Sequence, residues 1–188
     1  MARPQRHPDS TLIEAAAATI AAQSGAWSLE AVARRVGMSP AAMIKRFGSK
    51  RGLLLAVVTT WVASIPDAPA ARDVAEPVAE LEALVRQHFS GIEGGSAAGH
   101  LGLLLSELGD AEVRGLVAEG WRRQETLYAA LLAVAREQGM LHGPPPDRAA
   151  ALVMALLQGA ALLWSVSPSG PLEEFQAGVL RTLLESWR

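Results

Sequence analysis

The sequence contains no cysteine. That absence excludes disulfide frameworks, zinc–thiolate sites and cysteine nucleophiles together, and is compatible with a reducing compartment. Aromatic residues are scarce, with one tyrosine, three phenylalanines and five tryptophans in 188 residues. Sustained apolar–polar alternation is missing, as are Asn-Gly and Asp-Gly dipeptides, so strand and hairpin signals are nearly absent. Neither Gly-x-x-x-x-Gly-Lys nor Gly-x-Gly-x-x-Gly occurs, which removes the usual nucleotide-phosphate loops. The polar, basic start Met1-Ala-Arg-Pro-Gln-Arg-His-Pro8 has no apolar stretch behind it, and no signal peptide is expected. Charge is absent from Ala149 to Leu172, but the densely apolar part, Ala149 to Trp164, falls short of the roughly 20 residues a bilayer needs. A helix this apolar and this short is expected to pack on other helices or on a second copy of the chain, not to enter a membrane.

What is present is hydrophobic and unevenly charged. Half of the residues are hydrophobic and 19% are charged, a globular composition. The net charge of −2 hides an asymmetry: residues 1–51 hold eight Lys or Arg against three acids, and the remainder nine against sixteen. A basic N-terminal third on an acidic body points to a polyanionic partner for that third, or to chance clustering of solvated charges; charge alone does not decide.

Ala, Leu, Glu, Arg and Gln dominate, and Gly and Pro cut the chain into helical lengths. Nine helices are expected. The first spans about 10–23, with Ile13, Ala16, Ala17 and Ile20 on its inner face. A second, about 29–35, follows Ser28 as N-cap with Glu30 in its first turn. After the short turn Val36-Gly37-Met38, a third begins at Ser39-Pro40 and runs to about Phe47, the proline standing where its missing N–H costs nothing. A fourth covers about 50–64 and ends before the hinge Pro66-Asp67-Ala68-Pro69. Further helices are expected at about 73–90, 97–108, 111–138, 147–165 and 172–187.

The segment 28–47 carries the function. Two short helices joined by a Gly-containing turn form a helix-turn-helix unit. Val32 and Ala33 on the first helix and Met43 and Phe47 on the second can bury one apolar seam, with Val36 at the turn. The other face of the second helix then shows Pro40, Ala41, Ala42, Ile44, Lys45 and Arg46. Lys45 and Arg46 suit phosphates or guanine edges, and Ala and Ile suit thymine methyls. Helical hairpins with a Gly turn also occur in plain bundles, so the unit is moderately specific by itself.

Ile13 with Ala16-Ala17, Gly25, the run from Leu29 to Lys50, and Leu53-Leu54-Leu55 together resemble the DNA-binding domain of tetracycline-repressor (TetR) type regulators. The specific parts are Val32-Ala33 with Val36-Gly37-Met38-Ser39, and the ending Phe47-x-Ser49-Lys50. The resemblance covers about residues 8–63. It implies an all-α, homodimeric, one-component repressor, with a helix-turn-helix domain at 8–63 and a helical effector-binding and dimerisation domain at 70–188. Carried over by position, it implies DNA contacts from Ser28, Ser39, Pro40, Ala41, Ala42, Ile44, Lys45, Arg46 and Lys50. Ser28 and Ser39 would stand at phosphate-facing helix starts, and Lys50 would open the fourth helix and hold phosphate. The sequence departs from the family at Ile44, where a phosphate-contacting Tyr is usual. It departs again in the Gly25-to-Ser28 link, about two residues shorter, with Trp27 expected as core.

Elsewhere the residues are read as follows. Arg3 and Arg6 form a tail or an arm into the minor groove. His88 and His100 lack metal-pair spacing, and no metal or cofactor is expected. Gly94-Gly-Ser96-Ala-Ala-Gly99 has its second Gly one position too late for a nucleophile elbow and reads as a loop. No acid, base or nucleophile cluster suggests catalysis. Trp61, Phe89, Leu103, Leu104, Trp121, Tyr128, Met154 and Gln158 are candidates for a site taking an apolar small-molecule effector, although apolar residues at helical spacing are core by default. The last two helices, with Leu152, Leu156, Leu163, Trp164, Phe175, Val179, Leu180, Leu183 and Trp187, hold more apolar surface than a small domain hides, and a two-fold interface would bury it. The reading is a cytoplasmic DNA-binding regulator released from a palindromic operator by its effector. The alternative is a helical small-molecule or protein-binding dimer that no longer reads DNA.

Overall fold

The computed structural model describes residues 7–23, 27–69, 74–90 and 109–188. Among the described residues there are eight helices and no strand. They fall into two compact units, residues 7–64 with 109–118 and residues 65–90 with 119–188.

In the first unit, α1 is Asp9–Ala22, α2 Leu29–Arg35, α3 Pro40–Phe47 and α4 Lys50–Ser64. Serine starts three of them. The Oγ atoms of Ser28, Ser39 and Ser49 accept the backbone N–H groups of Ala31, Ala42 and Gly52 at 3.2, 3.2 and 3.0 Å. Each such cap satisfies a donor that the helix cannot, and contributes on the order of 1 kcal/mol. α2 ends where Gly37 adopts φ +65°, letting Met38 N–H reach Ala33 C=O at 2.8 Å and Gly37 N–H reach Arg34 C=O. A Cβ at that φ would be strained, so glycine sets the turn that aims α3. Gly52 is needed for a different reason: a Cβ there would lie 1.9 Å from the Phe47 carbonyl oxygen. Only hydrogen fits where α4 passes the end of α3.

The core of this unit is Leu12, Ala16, Ile20, Trp27, Leu29, Val32, Ala33, Met43 and Leu53, with Val36, Met38 and Phe47 packed at its edge. The expected α2–α3 seam is there, and Trp27 is core. α1 is turned relative to expectation: Leu12, Ala16, Thr19 and Ile20 face inwards, while Ile13 is half-buried and Ala17 exposed. Leu12 supplies more apolar area than Ala17. Thr19 is tolerated inside because its Oγ1 donates to Ala15 C=O at 2.7 Å.

α5 is Pro77–Phe89, α6 Ala111–Glu137, α7 Pro146–Val166 and α8 Leu172–Glu185. The helix expected at 97–108 lies outside the described residues, as do Arg3, Arg6, His100, Leu103, Leu104 and Gly94–Gly99. α5 begins at Pro77, later than the expected 73, because proline suits the first helical position. In the second unit α8 packs against both α5 and α7. α7 buries Ala149, Ala150, Val153, Leu157, Ala160, Ala161 and Trp164, and α8 buries Leu172, Gln176, Ala177, Leu180 and Leu184. By length and mean hydropathy α7 could cross a membrane, being longer than its apolar stretch suggested, but one side is core. Its other side leaves Leu152, Leu162, Leu163 and Val166 exposed, Leu163 by 70% and Val166 by 80%.

Candidate nucleic-acid interface

α3 is divided cleanly between two tasks. Met43 is fully buried, and Phe47 is half-buried at the core edge. Ala41, Ile44 and Lys45 are exposed, and Pro40 and Ala42 are half-buried beside them. Ile44 leaves 49% of its surface in solvent, free to meet an apolar group such as a thymine methyl. Ser39 accepts from Ala42 with its oxygen, which leaves its hydroxyl hydrogen able to donate to a phosphate. Ser28 caps α2 in the same manner and is half-buried.

Arg46 is placed differently from the expectation. Its guanidinium ion-pairs with Asp9 at the start of α1 and donates from Nη1 to the His7 carbonyl at 2.7 Å. With 17% of its side chain exposed, it ties α3 to the beginning of α1 and does not stand outward beside Lys45. Lys50 opens α4 as expected and is exposed. Its ammonium lies 4.6 Å from the centroid of the Trp27 ring.

Sequence reasoning passed over two further basic groups. Arg34 and Arg35 end α2 in exposed positions and join the exposed Lys45 and Lys50. Their signal was the excess of Lys and Arg in residues 1–51. Glu30 stands among them with its pKa lowered, chiefly by a hydrogen bond from its own backbone and then by the Ser28 hydroxyl, with Arg34 and Lys50 adding to the effect. Arg51, next to Lys50, is engaged by acids. Its Nε donates to Asp110 at 2.5 Å and its Nη2 to Glu112 at 2.7 Å, which raises the guanidinium pKa further and holds the Asp110 carboxyl down at about 2.

The expected effector residues that are described are drawn from both units. Trp61 belongs to the first unit, whereas Phe89, Trp121, Tyr128, Met154 and Gln158 belong to the second. Phe89 and Tyr128 are buried; Trp61, Trp121, Met154 and Gln158 are half-buried. The polar groups that do enter the second core are Gln124 and Gln176. Gln124 pairs through Nε2 with Nδ1 of His88 at 2.9 Å, and Gln176 donates from Nε2 to the Leu157 carbonyl at 2.8 Å. Both sat at legible positions, Gln176 midway between Leu172 and Leu180 and Gln124 one turn before Leu127 and Tyr128. Among the described residues, Gln124 Oε1, Gln176 Oε1 and Trp164 Nε1 are buried without a hydrogen-bond partner. No group of three or more His, Asp or Glu among those residues is placed to hold a metal ion.

This geometry agrees with what the chain resembles. Residues 12–57 match the family model for bacterial regulatory proteins of the tetR family. The sequence matches none of the curated proteins compared with it. Among solved structures, a protein assigned as a transcriptional regulator from Saccharomonospora viridis, in complex with choline, superposes with TM-score 0.74 at 19% identity, covering 94% of each chain. A TetR transcription regulator from Haloarcula marismortui gives TM-score 0.72 at 14% identity, covering 95% of this chain and 96% of that one. SmeT, the repressor of the Stenotrophomonas maltophilia multidrug efflux pump SmeDEF, gives TM-score 0.65 at 21% identity, covering 97% and 91%. At these identities the structures establish the fold over nearly the full chain, and the family model establishes the N-terminal domain. The protein is a DNA-binding transcriptional regulator, and its helix-turn-helix domain is that of the tetR family.

Proposed function

We propose that the protein is a homodimeric repressor that holds a palindromic operator and lets go when a small molecule occupies its second unit. The observation that carries this is the division of α3: Met43 closes the core while Ala41, Ile44 and Lys45 stand out beside the Ser39-capped helix start. A helix held this way presents its N-terminal turns to the major groove, and Lys45 and Ile44 suit guanine edges and thymine methyls. Ser28, Ser39 and Lys50 would contact phosphate. Arg46 is read as holding α3 to α1 and acting on sequence preference through that placement.

The homodimer is supported by the apolar face that α7 leaves uncovered, Leu152, Leu162, Leu163 and Val166, with the small residues Ala155 and Gly159 between them. The half-buried Phe175, Val179 and Leu183 of α8 extend it. Two copies related by a two-fold axis would cover these faces as a four-helix interface, and a two-fold protein calls for a two-fold operator. The effector is read as an apolar molecule with a few hydrogen-bonding groups. Phe89, Trp164 and Tyr128 are buried apolar side chains that an effector would have to part, and the unpartnered Gln124 Oε1 and Trp164 Nε1 each cost about 1–3 kcal/mol until something pairs with them. The S. viridis and S. maltophilia proteins, by their descriptions, bind choline and repress a multidrug efflux pump; a comparable arrangement here would act in the cytoplasm by binding, not by catalysis.

The test is DNA binding by the full chain across a salt series. Counterion release predicts a logarithmic slope of several units for a protein holding several phosphates. Affinity indifferent to salt would favour a helical ligand-binding dimer that does not read DNA.

A further inference from the structure

Lys50 and Arg51 open the same helix, yet their charges are handled in opposite ways. Both are cations at the N-terminal end of α4, where the peptide dipoles disfavour positive charge and the first turn contains no acid. Arg51 is matched by Asp110 and Glu112. Lys50 makes no ion pair with any described residue, adds only a minor, through-space part to the lowering of Glu30, and rests its ammonium 4.6 Å from the Trp27 ring centroid. Trp27 is only 4% exposed, is packed in the core with Ile20, Val32 and Leu53, and directly precedes Ser28, the cap of α2. The ring face is therefore fixed by the same backbone that begins the helix-turn-helix.

A carboxylate placed there would neutralise the ammonium. An aromatic face attracts it through the ring quadrupole and leaves its charge and its outward N–H donors unspent. It also restricts a side chain whose rotamer freedom would cost up to about 2 kcal/mol to freeze when a phosphate is gripped. We propose that Trp27 is a positioning residue of the DNA interface, its buried indole face holding the Lys50 ammonium ready for a backbone phosphate. The proposal rests on Lys50 being a phosphate contact, as read above, and adds Trp27 to the groups that determine DNA affinity.

The test is a double-mutant cycle on the full chain, with a random-sequence duplex as probe, because a phosphate contact is indifferent to sequence. Wild type, Trp27→Leu, Trp27→Phe, Lys50→Ala and each Trp27 variant combined with Lys50→Ala are titrated over a salt series, and each is thermally melted. Lys50→Ala should lower the slope of log affinity against log salt by about one. Trp27→Leu should weaken binding about 2–5-fold with the slope kept, matching roughly 0.5–1 kcal/mol for an exposed cation–ring contact. Trp27→Phe, which keeps a ring face, should lose less. In the Lys50→Ala background neither Trp27 change should matter. Equal weakening by Trp27→Leu with and without Lys50, or none while Lys50→Ala weakens binding, overturns the proposal. An unchanged affinity and slope for Lys50→Ala overturns the phosphate reading beneath it. Should Trp27→Leu show no cooperative melt, the Trp27→Phe cycle decides by the same criterion.

Discussion

Arg51 Nε meets an Asp110 carboxylate oxygen at 2.5 Å across 59 positions of sequence, and the same carboxylate accepts the N–H groups of Glu112 and Val113 at 3.0 and 3.2 Å. One side chain thus caps α6 and fastens its start to the start of α4, a single residue from Lys50. Opposite charge and helix-end N–H groups both favour the ionised form, which is why the carboxyl titrates at about 2.

The direction of the consequence follows from linkage. An aspartate lowered to about 2 when folded, against roughly 3.9 in an unfolded chain, adds stability above the unfolded value and loses it as pH falls from about 4 to about 2. Asp110→Asn should therefore melt below wild type at neutral pH, and the two melting temperatures should converge over that acid range. Because the pair is solvent-exposed, the gap at neutral pH should also narrow with salt. Equal melting temperatures at neutral pH would remove Asp110 from the account.

Met43 is the fully buried residue of α3. Met43→Ala should destabilise the first unit by about 2–5 kcal/mol through lost transfer energy and the cavity left behind. Denaturant unfolding followed by far-UV dichroism measures this, and DNA affinity should fall with it. A cost under about 1 kcal/mol would mean that α3 is not seated through Met43.

Tyr128 is the chain's sole tyrosine, so its titration can be followed without ambiguity. Burial pushes its hydroxyl up to about 12. The native protein should keep an un-ionised tyrosine through pH 10 to 11, and the tyrosinate absorbance should appear near 12 or on unfolding. Since the unfolded chain loses this proton first, near 10, stability should decline as pH rises from about 10 towards 12. A native midpoint near 10 would place Tyr128 in water.

The helix-turn-helix was legible because its signals are local. Ser28, Ser39 and Ser49 stand three residues before the N–H groups they cap, Pro40 occupies a first helical position, and Gly37 supplies a left-handed turn. The phase of α1 was not legible: the run Ala15 to Ala18 gives no contrast between faces, and Thr19 enters the core through a hydrogen bond that spacing does not announce. Arg46 read as a groove residue from its place on α3, but Asp9, 37 positions earlier, draws it to α1. Ion pairs between distant segments depend on the fold and leave no periodic trace. The same holds for the second core, where the half-buried Gln158 drew attention while Gln124 and Gln176 are the amides inside.

Leu163 is 70% exposed on α7, so a charge there should leave the monomer folded. Leu163→Glu should shift sedimentation from dimer to monomer with unchanged helical dichroism, and should weaken operator binding by at least tenfold through loss of the second α3. Leu157→Glu, at a position 1% exposed, should instead unfold the second unit. A Leu163→Glu protein that stays dimeric would move the interface elsewhere.

The most direct test of a two-fold operator reader is selection of bound sequences from a random DNA pool by the purified full chain at physiological salt. A two-fold reader should recover an inverted repeat, its half-sites separated by about one helical turn or a multiple of it, with two chains per recovered duplex. A single unrepeated motif, or no motif above salt-sensitive background binding, would contradict it.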